Sequence, residues 1–432
     1  MRIKIAYGRD GLWVDLPGEH VTVVEPSYQP GLSDEQVALR EALRNPTGAP
    51  PISELVGPEN TVAIVFSDLT RAQPRRRMLP VLLNEIAAVP PEQVVLINAL
   101  GSHRPNTDAE LVEMLGREIV DKFRIVQHDA FDRGSNEYVG RTTAGHDVWI
   151  DAAYLQAGIK ILTGFIEPHF FAGFSGGPKA VLPGIAAQAS ILANHSAQMI
   201  GHPRATWGVT EGNPIWDEMR EVALWTNPTF LYNATLNRDK KITGVFAGGL
   251  EEAHKAGADF VAQTAMVPVG ALFDIVITSN SGYPLDLNLY QTVKGMSAAA
   301  QVVKPGGAII VAAECSSGVA DHAQYTQLLQ SAPSAQALLK KIDAPGETVQ
   351  DQWQVQVQAL VQARAEVYVK SSLPPAHVED AMLRVCDSVE DTVGRLMKRY
   401  GPDATICVLP EGPMTIPYLA PAGRWGPDRR DT

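Results

Sequence analysis

Cysteine is scarce in this sequence. Cys315, Cys386 and Cys407 are the only three, far apart, with no CxxC pair and no even disulfide framework. That excludes a disulfide-stapled secreted scaffold and points to a reducing, cytoplasmic setting. Long apolar runs are missing as well. No stretch approaches the roughly 20 apolar residues of a membrane helix, so no membrane partner is expected. Residues 1–17 carry Arg9, Asp10 and Asp15 around no apolar core, so no secretory leader is read there. Positive charge is in deficit. A formal net charge of -12 repels phosphate backbones and argues against nucleic acid, while local cations can still gather a small anion. There is no HExxH, no close histidine pair, no internal repeat and no low-complexity tract.

What is present has the balance of a globular chain. Hydrophobic residues make up 45% and charged residues 19% of 432 positions, a length that suits two domains. Short apolar runs at 61–66 (TVAIVF), 93–98 (QVVLIN) and 160–163 (KILT) read as strands covered on both faces. Helical patterns lie at 77–89 and at 107–116, with Thr107 as N-cap. A second alternation starts near Phe273. It has a strand at 274–278, a helix at 287–303, a turn at 304–307 and a strand at 308–313. Helices follow at 351–367 and 389–400, then a strand at 404–409 and a Pro-, Gly- and Arg-rich tail from Glu411. The expected fold is α/β, with two α/β domains and an active site in the cleft between them. The boundaries are 1–268 and 269–394, with 395–432 free to pack back on the first domain.

Residues 164–195 hold the densest chemistry: GFIEPHFFAGFSGGPKAVLPGIAAQASILANH. GFSGGPK, beginning at Gly173, imitates a Walker loop. Pro178 stands where the second glycine belongs and Ala180 where the Mg²⁺-binding hydroxyl belongs, so a Mg-ATP loop is rejected. The backbone around Gly176 and Gly177 could still form an N–H nest for a phosphate, or be a plain glycine-rich turn. Lys179 can act as a counter-charge or as an amine joined to a cofactor. His195 suits nickel, zinc, copper or iron, but alone it builds no metal site, and a lone histidine is more often a packing residue. His103 and His169 follow two strands, where open α/β sheets place their active sites. Ser67-Asp68-Leu69-Thr70-Arg71 follows another strand. Arg71 can clamp a carboxylate, while Asp68 and Thr70 can hydrogen-bond a ribose or a neighbour, or Asp68 can cap the next helix. Arg75-Arg76-Arg77 reads as a solvated helix face, and Gln73 as a hint of a polar pocket. Gln291 and Lys294, with Tyr290 beside them, share a helix face that is either an anion site or ordinary surface. The loop SGVADH, ending at His322, has no assigned role.

SDLTRAQP, ALGSHR, EPHFFAGFSGGPKAVLPG, ANH, LYQTVKG and SSGVADH, in this order, resemble the nickel-pincer-nucleotide lactate racemase family. GFSGGPKAVLPG followed by NH is the specific part. Ala72 departs from the proline usual there. The resemblance implies a 2-hydroxy acid racemase or epimerase. It implies a nickel pincer nucleotide bound covalently at Lys179, with His195 as the protein's nickel ligand and the cofactor supplying three more. His103 and His169 would be the acid/base pair, exchanging roles between the two directions. Asp68, Thr70, Gly176 and Gly177 would contact the cofactor, and Arg71, Tyr290, Gln291 and Lys294 the substrate. Deprotonating Cα beside a carboxylate would set two negative charges side by side, so a hydride route through a 2-keto acid is expected. Implied partners are a small 2-hydroxy acid and, transiently, the cofactor-making proteins, with room for a homo-oligomer. A non-catalytic carrier of the nickel nucleotide and a mononuclear metal hydrolase remain as alternatives.

Overall fold

The computed structural model describes residues 1–320 and 323–420. It contains two compact units. The N-terminal unit comprises Tyr28–His195 and Arg204–Ala262. The C-terminal unit takes Met1–Ser27, Ser196–Pro203 and the chain from Gln263 onward.

The N-terminal unit is built on a six-stranded sheet. Its order is Ile242–Gly248, Phe230–Leu236, Ile159–Phe165, Val62–Ser67, Val94–Ala99 and Arg124–Gln127. All neighbours run parallel except the first pair, which is a hairpin. From Val62–Ser67 the chain steps outward through the next two strands. It then returns to the other side with Ile159–Phe165. The order therefore reverses between these two central strands, and such a reversal opens a crevice at their carboxyl ends. Val62 to Phe66 are fully buried, as continuous β-branched and aromatic runs in a two-sided layer should be. Leu39, Leu43, Ile64, Leu79, Leu82, Leu96 and Tyr232 belong to the core packed on it.

The C-terminal unit repeats the plan. Its six parallel strands are ordered Arg384–Val385, Glu366–Lys370, Val303–Ala312, Phe273–Ser279, Ile406–Leu409 and Val21–Val23. Two details correct the sequence reading. The late strand pairs with Phe273–Ser279 rather than packing back on the first unit, because ICVL is buried at every position and fills the place beside the Ile275–Thr278 ladder. The first residues also belong here, since Val21–Val23 completes this sheet's edge.

Local chemistry explains most element ends. Helix Asp108–Leu115 starts at the expected Thr107, in a capping box with Glu110, and stops at Gly116. Helix Leu289–Ala300 is capped by the Asn288 side chain on the Gln291 N–H. Helix Arg75–Glu85 begins two residues earlier than the pattern suggests, behind Pro74. No helix among the described residues is long and apolar enough to cross a membrane.

Candidate active site

The loops that follow the two central strands, and the one after Val94–Ala99, carry most of the residues singled out above. The first loop is locked by Gln73. Its Oε1 accepts the Ser67 N–H at 2.8 Å, and its Nε2 donates to Thr163 Oγ1 at 2.8 Å. Thr163 in turn donates to the Val65 carbonyl at 2.7 Å. Gln73 is thus a buried tie between strand ends, not a wall of a polar pocket, because its polar atoms are already engaged within the loop and the sheet.

Asp68 emerges from this loop almost wholly buried, at 2% exposure. It does not cap the following helix, whose N-cap is Pro74. Its Oδ2 lies 2.8 Å from His103 Nδ1, and Thr70 Oγ1 donates to Oδ1 at 2.8 Å and to Oδ2 at 3.1 Å. Burial pushes the Asp68 carboxyl upward. The His103 hydrogen bond and charge, the Arg71 charge and the Thr70 hydroxyl outweigh it and hold the group below its ordinary value. His103 is the outer member of the pair, with 38% of its side chain exposed. Its loop turns through Gly101, at φ 54°, and the Gly101 N–H donates to Gly184 O at 2.9 Å. The His103 and Lys179 loops are therefore joined directly.

Arg75 corrects a further expectation. Of the three arginines, only Arg76 is solvated. Arg77 pairs with Glu35 at 2.8 Å, and Arg75 is buried with both Nη atoms on the Arg71 carbonyl, at 3.1 and 3.2 Å. Burial lowers the Arg75 guanidinium to about 10, against the pull of Asp68. A charge run in sequence gave no sign that one member faces inward.

The loop after Ile159–Phe165 folds into a short antiparallel ladder, Pro168–His169 with Gly173–Phe174. His169 is half-buried there, and its Nδ1 accepts the Ala172 N–H at 3.3 Å. The buried ring of Phe171 is the hub that sequence reasoning missed. Its centroid lies 4.5 Å from that of His169 and 5.0 Å from that of His195, both edge-on, and 5.8 Å from Lys179 Nζ. The only sequence signal was a pair of phenylalanines directly after a candidate histidine.

The Gly177 N–H is not open to a ligand. The Gly177 N–H donates to Asn233 Oδ1 at 2.9 Å. A Cβ at Gly177, where φ is +53°, would stand 2.5 Å from the His254 ring, and one at Gly176 would stand 2.4 Å from Asn233 Oδ1. These glycines let the turn lie against Asn233 and the buried His254, whose Nε2 faces the Ser175 carbonyl at 2.9 Å. The turn Gly177–Ala180 presents Lys179 half-buried.

His195 caps helix Gln188–Asn194 and is 4% exposed. Its Nδ1 donates to the Ile191 carbonyl at 3.0 Å, which leaves the lone pair on Nε2. Burial, then the nearby Lys179 charge, lower this ring to about 3 against the Ile191 carbonyl, so it is neutral. A neutral imidazole fixed through its other nitrogen is the form that ligates metals. Behind it, Asn194 Nδ2 donates to Glu218 Oε2 at 2.8 Å, while Glu218 Oε1 receives Thr142 at 2.6 Å and lies 2.8 Å from His146 Nδ1. Among the described residues no group of three or more His, Cys, Asp or Glu could hold a metal by itself. A metal ion at His195 would therefore need its other donors from outside the described residues.

Asp68, Thr70 and Arg71, with His103 and with His169, Lys179 and His195, thus all lie in the N-terminal unit, beyond the carboxyl ends of adjacent strands. Tyr290, Gln291 and Lys294 lie in the C-terminal unit, all half-buried on helix Leu289–Ala300. The loop that follows strand Val303–Ala312 supplies the Gly318 and Val319 carbonyls to the Leu289 and Tyr290 N–H groups at the start of this helix. Asp321 and His322 of SGVADH lie outside the described residues.

Known proteins resemble this chain in sequence and in fold. Residues 7–208 match the family model of the lactate racemase N-terminal domain and residues 270–416 that of the C-terminal domain. The lactate racemase of Thermoanaerobacterium thermosaccharolyticum is 37% identical over 96% of this chain and 98% of its own. That of Lactiplantibacillus plantarum is 37% identical over 88% and 90%. The solved lactate racemase apoprotein from T. thermosaccharolyticum superposes with a TM-score of 0.91 at 35% identity, over 96% of this chain and 100% of that one. A Thermotoga maritima protein, at 16% identity and a TM-score of 0.65 over 91% of this chain and 100% of its own, shares the fold. In both halves and along nearly its whole length, the chain belongs to the lactate racemase family of isomerases.

Proposed function

We propose that the protein interconverts the enantiomers of a small 2-hydroxy acid, lactate or a close relative, using a nickel pincer nucleotide joined to Lys179. The observation that carries this reading is the grouping in one unit of a carboxylate-held histidine, a second histidine, an amine and a neutral, metal-ready imidazole. Such a set suits proton transfer beside a tethered cofactor. The residues fit the group: Lys179 would be the amine that joins it, and His195 Nε2 would be the protein's donor to nickel. When bound, the nucleotide supplies an acceptor for the Cα hydrogen with its electron pair, and the means to return it. The chain handles the rest. Arg71 holds the substrate carboxylate. His103 Nε2 takes the hydroxyl proton as the hydride leaves, giving a planar 2-keto acid. His169 attends the same oxygen once the keto acid has turned its other face. Phe171 keeps an apolar wall against His169 and His195 and limits water at the reacting carbon. Tyr290, Gln291 and Lys294 are assigned to the substrate on the resemblance alone. Three buried, unpaired cysteines support a cytoplasmic setting.

The test is co-expression with the cofactor-making enzymes, followed by peptide mapping under denaturing conditions and a chiral assay. A sulfur-containing, nucleotide-sized adduct on the Lys179 peptide, with racemisation of a 2-hydroxy acid, is expected. An unmodified Lys179 under those conditions withdraws the covalent cofactor. An adduct without racemisation of lactate, malate, aromatic 2-hydroxy acids or sugar acids favours a carrier.

A further inference from the structure

His103 and His169 occupy comparable strand-end loops, yet their Nδ1 atoms have opposite neighbours. His103 Nδ1 faces a carboxylate oxygen at 2.8 Å. That carboxylate also accepts the Thr70 hydroxyl, so Asp68 acts there as an acceptor and the proton of this hydrogen bond belongs to His103 Nδ1. His169 Nδ1 faces a backbone N–H, that of Ala172, at 3.3 Å. A nitrogen that accepts an N–H carries no proton of its own, so the neutral ring of His169 keeps its proton on Nε2. The Ala172 donor is fixed in the turn of the Pro168–His169 and Gly173–Phe174 ladder, in which His169 pairs with Gly173.

We infer that the two histidines are held as opposite tautomers, so that of this pair only His103 Nε2 is a proton acceptor in the ligand-free protein, and that Asp68 is the positioning residue that keeps it one. In this state His169 presents Nε2–H and donates a hydrogen bond to a substrate oxygen. It becomes a base only after its proton moves from Nε2 to Nδ1, which breaks the Ala172 hydrogen bond. The two histidines are therefore not interchangeable at rest. The catalytic consequence rests on the function proposed above, while the tautomers themselves do not. For enantiomers the equilibrium constant is one, so kcat/KM is equal in both directions. The inequivalence must appear in kcat and KM taken separately.

Long-range proton–nitrogen correlation spectra of ligand-free protein carrying ¹⁵N-histidine read each tautomer directly. His103→Gln and His169→Gln identify the signals. The expected result is an Nδ1–H pattern for His103 and an Nε2–H pattern for His169. The same tautomer at both, or an Nε2–H pattern at His103, overturns the inference. In Asp68→Asn the Thr70 hydroxyl still donates to Oδ1, so the amide N–H turns toward His103 Nδ1 and the His103 signal switches to the Nε2–H pattern. An unchanged His103 signal in this folded variant overturns the role of Asp68. In cofactor-loaded protein, Asp68→Asn should lower kcat/KM on the order of 100-fold or more, equally for both enantiomers. A loss of less than about threefold also overturns the positioning role. Failure of the loaded wild-type protein to racemise would strike the proposed function instead and leave the tautomer result standing.

Discussion

His128 and Asp151 form a buried pair in which every side-chain nitrogen and oxygen has a partner. His128 Nδ1 lies 3.1 Å from Asp151 Oδ2, and its Nε2 lies 3.0 Å from the Ala186 carbonyl. Asp151 Oδ1 receives the Ala153 and Tyr154 N–H groups at 2.9 and 3.2 Å. The pair fastens the far end of the lysine-bearing loop, at Ala186, to the strand-end region at His128. Removing the ring in His128→Leu strands a buried carboxylate and a buried carbonyl, which costs about 3–5 kcal/mol. Urea unfolding checks this. A double-mutant cycle with Asp151→Ala should show strong coupling, and additive losses would mean that the pair does not act as a unit.

Glu218 governs the far side of His195. It accepts from Thr142 and Asn194 and bonds His146, and these hydrogen bonds, led by that of His146, hold it below its usual carboxylate range despite burial. Glu218→Ala should lower stability by about 2–4 kcal/mol, because buried donors lose their acceptor. It should also loosen the Asn194–His195 corner, so that loaded protein releases nickel faster under a chelator. Nickel retention equal to wild type would separate Glu218 from His195, the proposed nickel ligand.

Acid should weaken the fold through His254. Burial lowers this ring to about 4, against the Ser175 carbonyl and the Asp259 charge. Between the ordinary imidazole value of roughly 6.5 and about 4, the unfolded chain takes up a proton that the folded site refuses. Stability present above that window is lost as pH falls through it. In thermal melts at stepped pH, His254→Asn should be less stable than wild type at pH 8, and the gap should narrow toward pH 4. A constant gap would mean that His254 does not titrate as argued.

The Gly177 turn should tolerate no side chain. Gly177→Ala combines a left-handed backbone with a Cβ 2.5 Å from the His254 ring. A cost of about 1–3 kcal/mol is expected, with reduced modification of Lys179 on co-expression. Wild-type stability together with normal modification would show that the turn can shift freely.

Sequence alone carried the regular parts of this molecule. Buried parallel strands announce themselves as apolar runs, and Thr107 with Glu110 is a local signature that needs no tertiary knowledge. The candidate histidines and Lys179 stood out because strand ends in such sheets are where chemistry gathers. What stayed hidden depends on long-range partners. The Asp68–His103 pair joins residues 35 positions apart, and the Asn233 contact with Gly177 spans 56. Arg75 was unreadable because one charge in a run of three turned inward, toward a carbonyl four residues back. The edge strand Val21–Val23 was missed because three residues show no periodicity.

The glycine turn that bears Lys179 has its Gly177 amide already satisfied by Asn233 and its backbone already seated against His254. Its shape is therefore finished before any ligand arrives. On the proposed function, attachment at Lys179 would then be a modification of a turn whose shape is already set. Ligand-free protein would then be a stock that waits for its cofactor, with the Lys179 turn already in its final form.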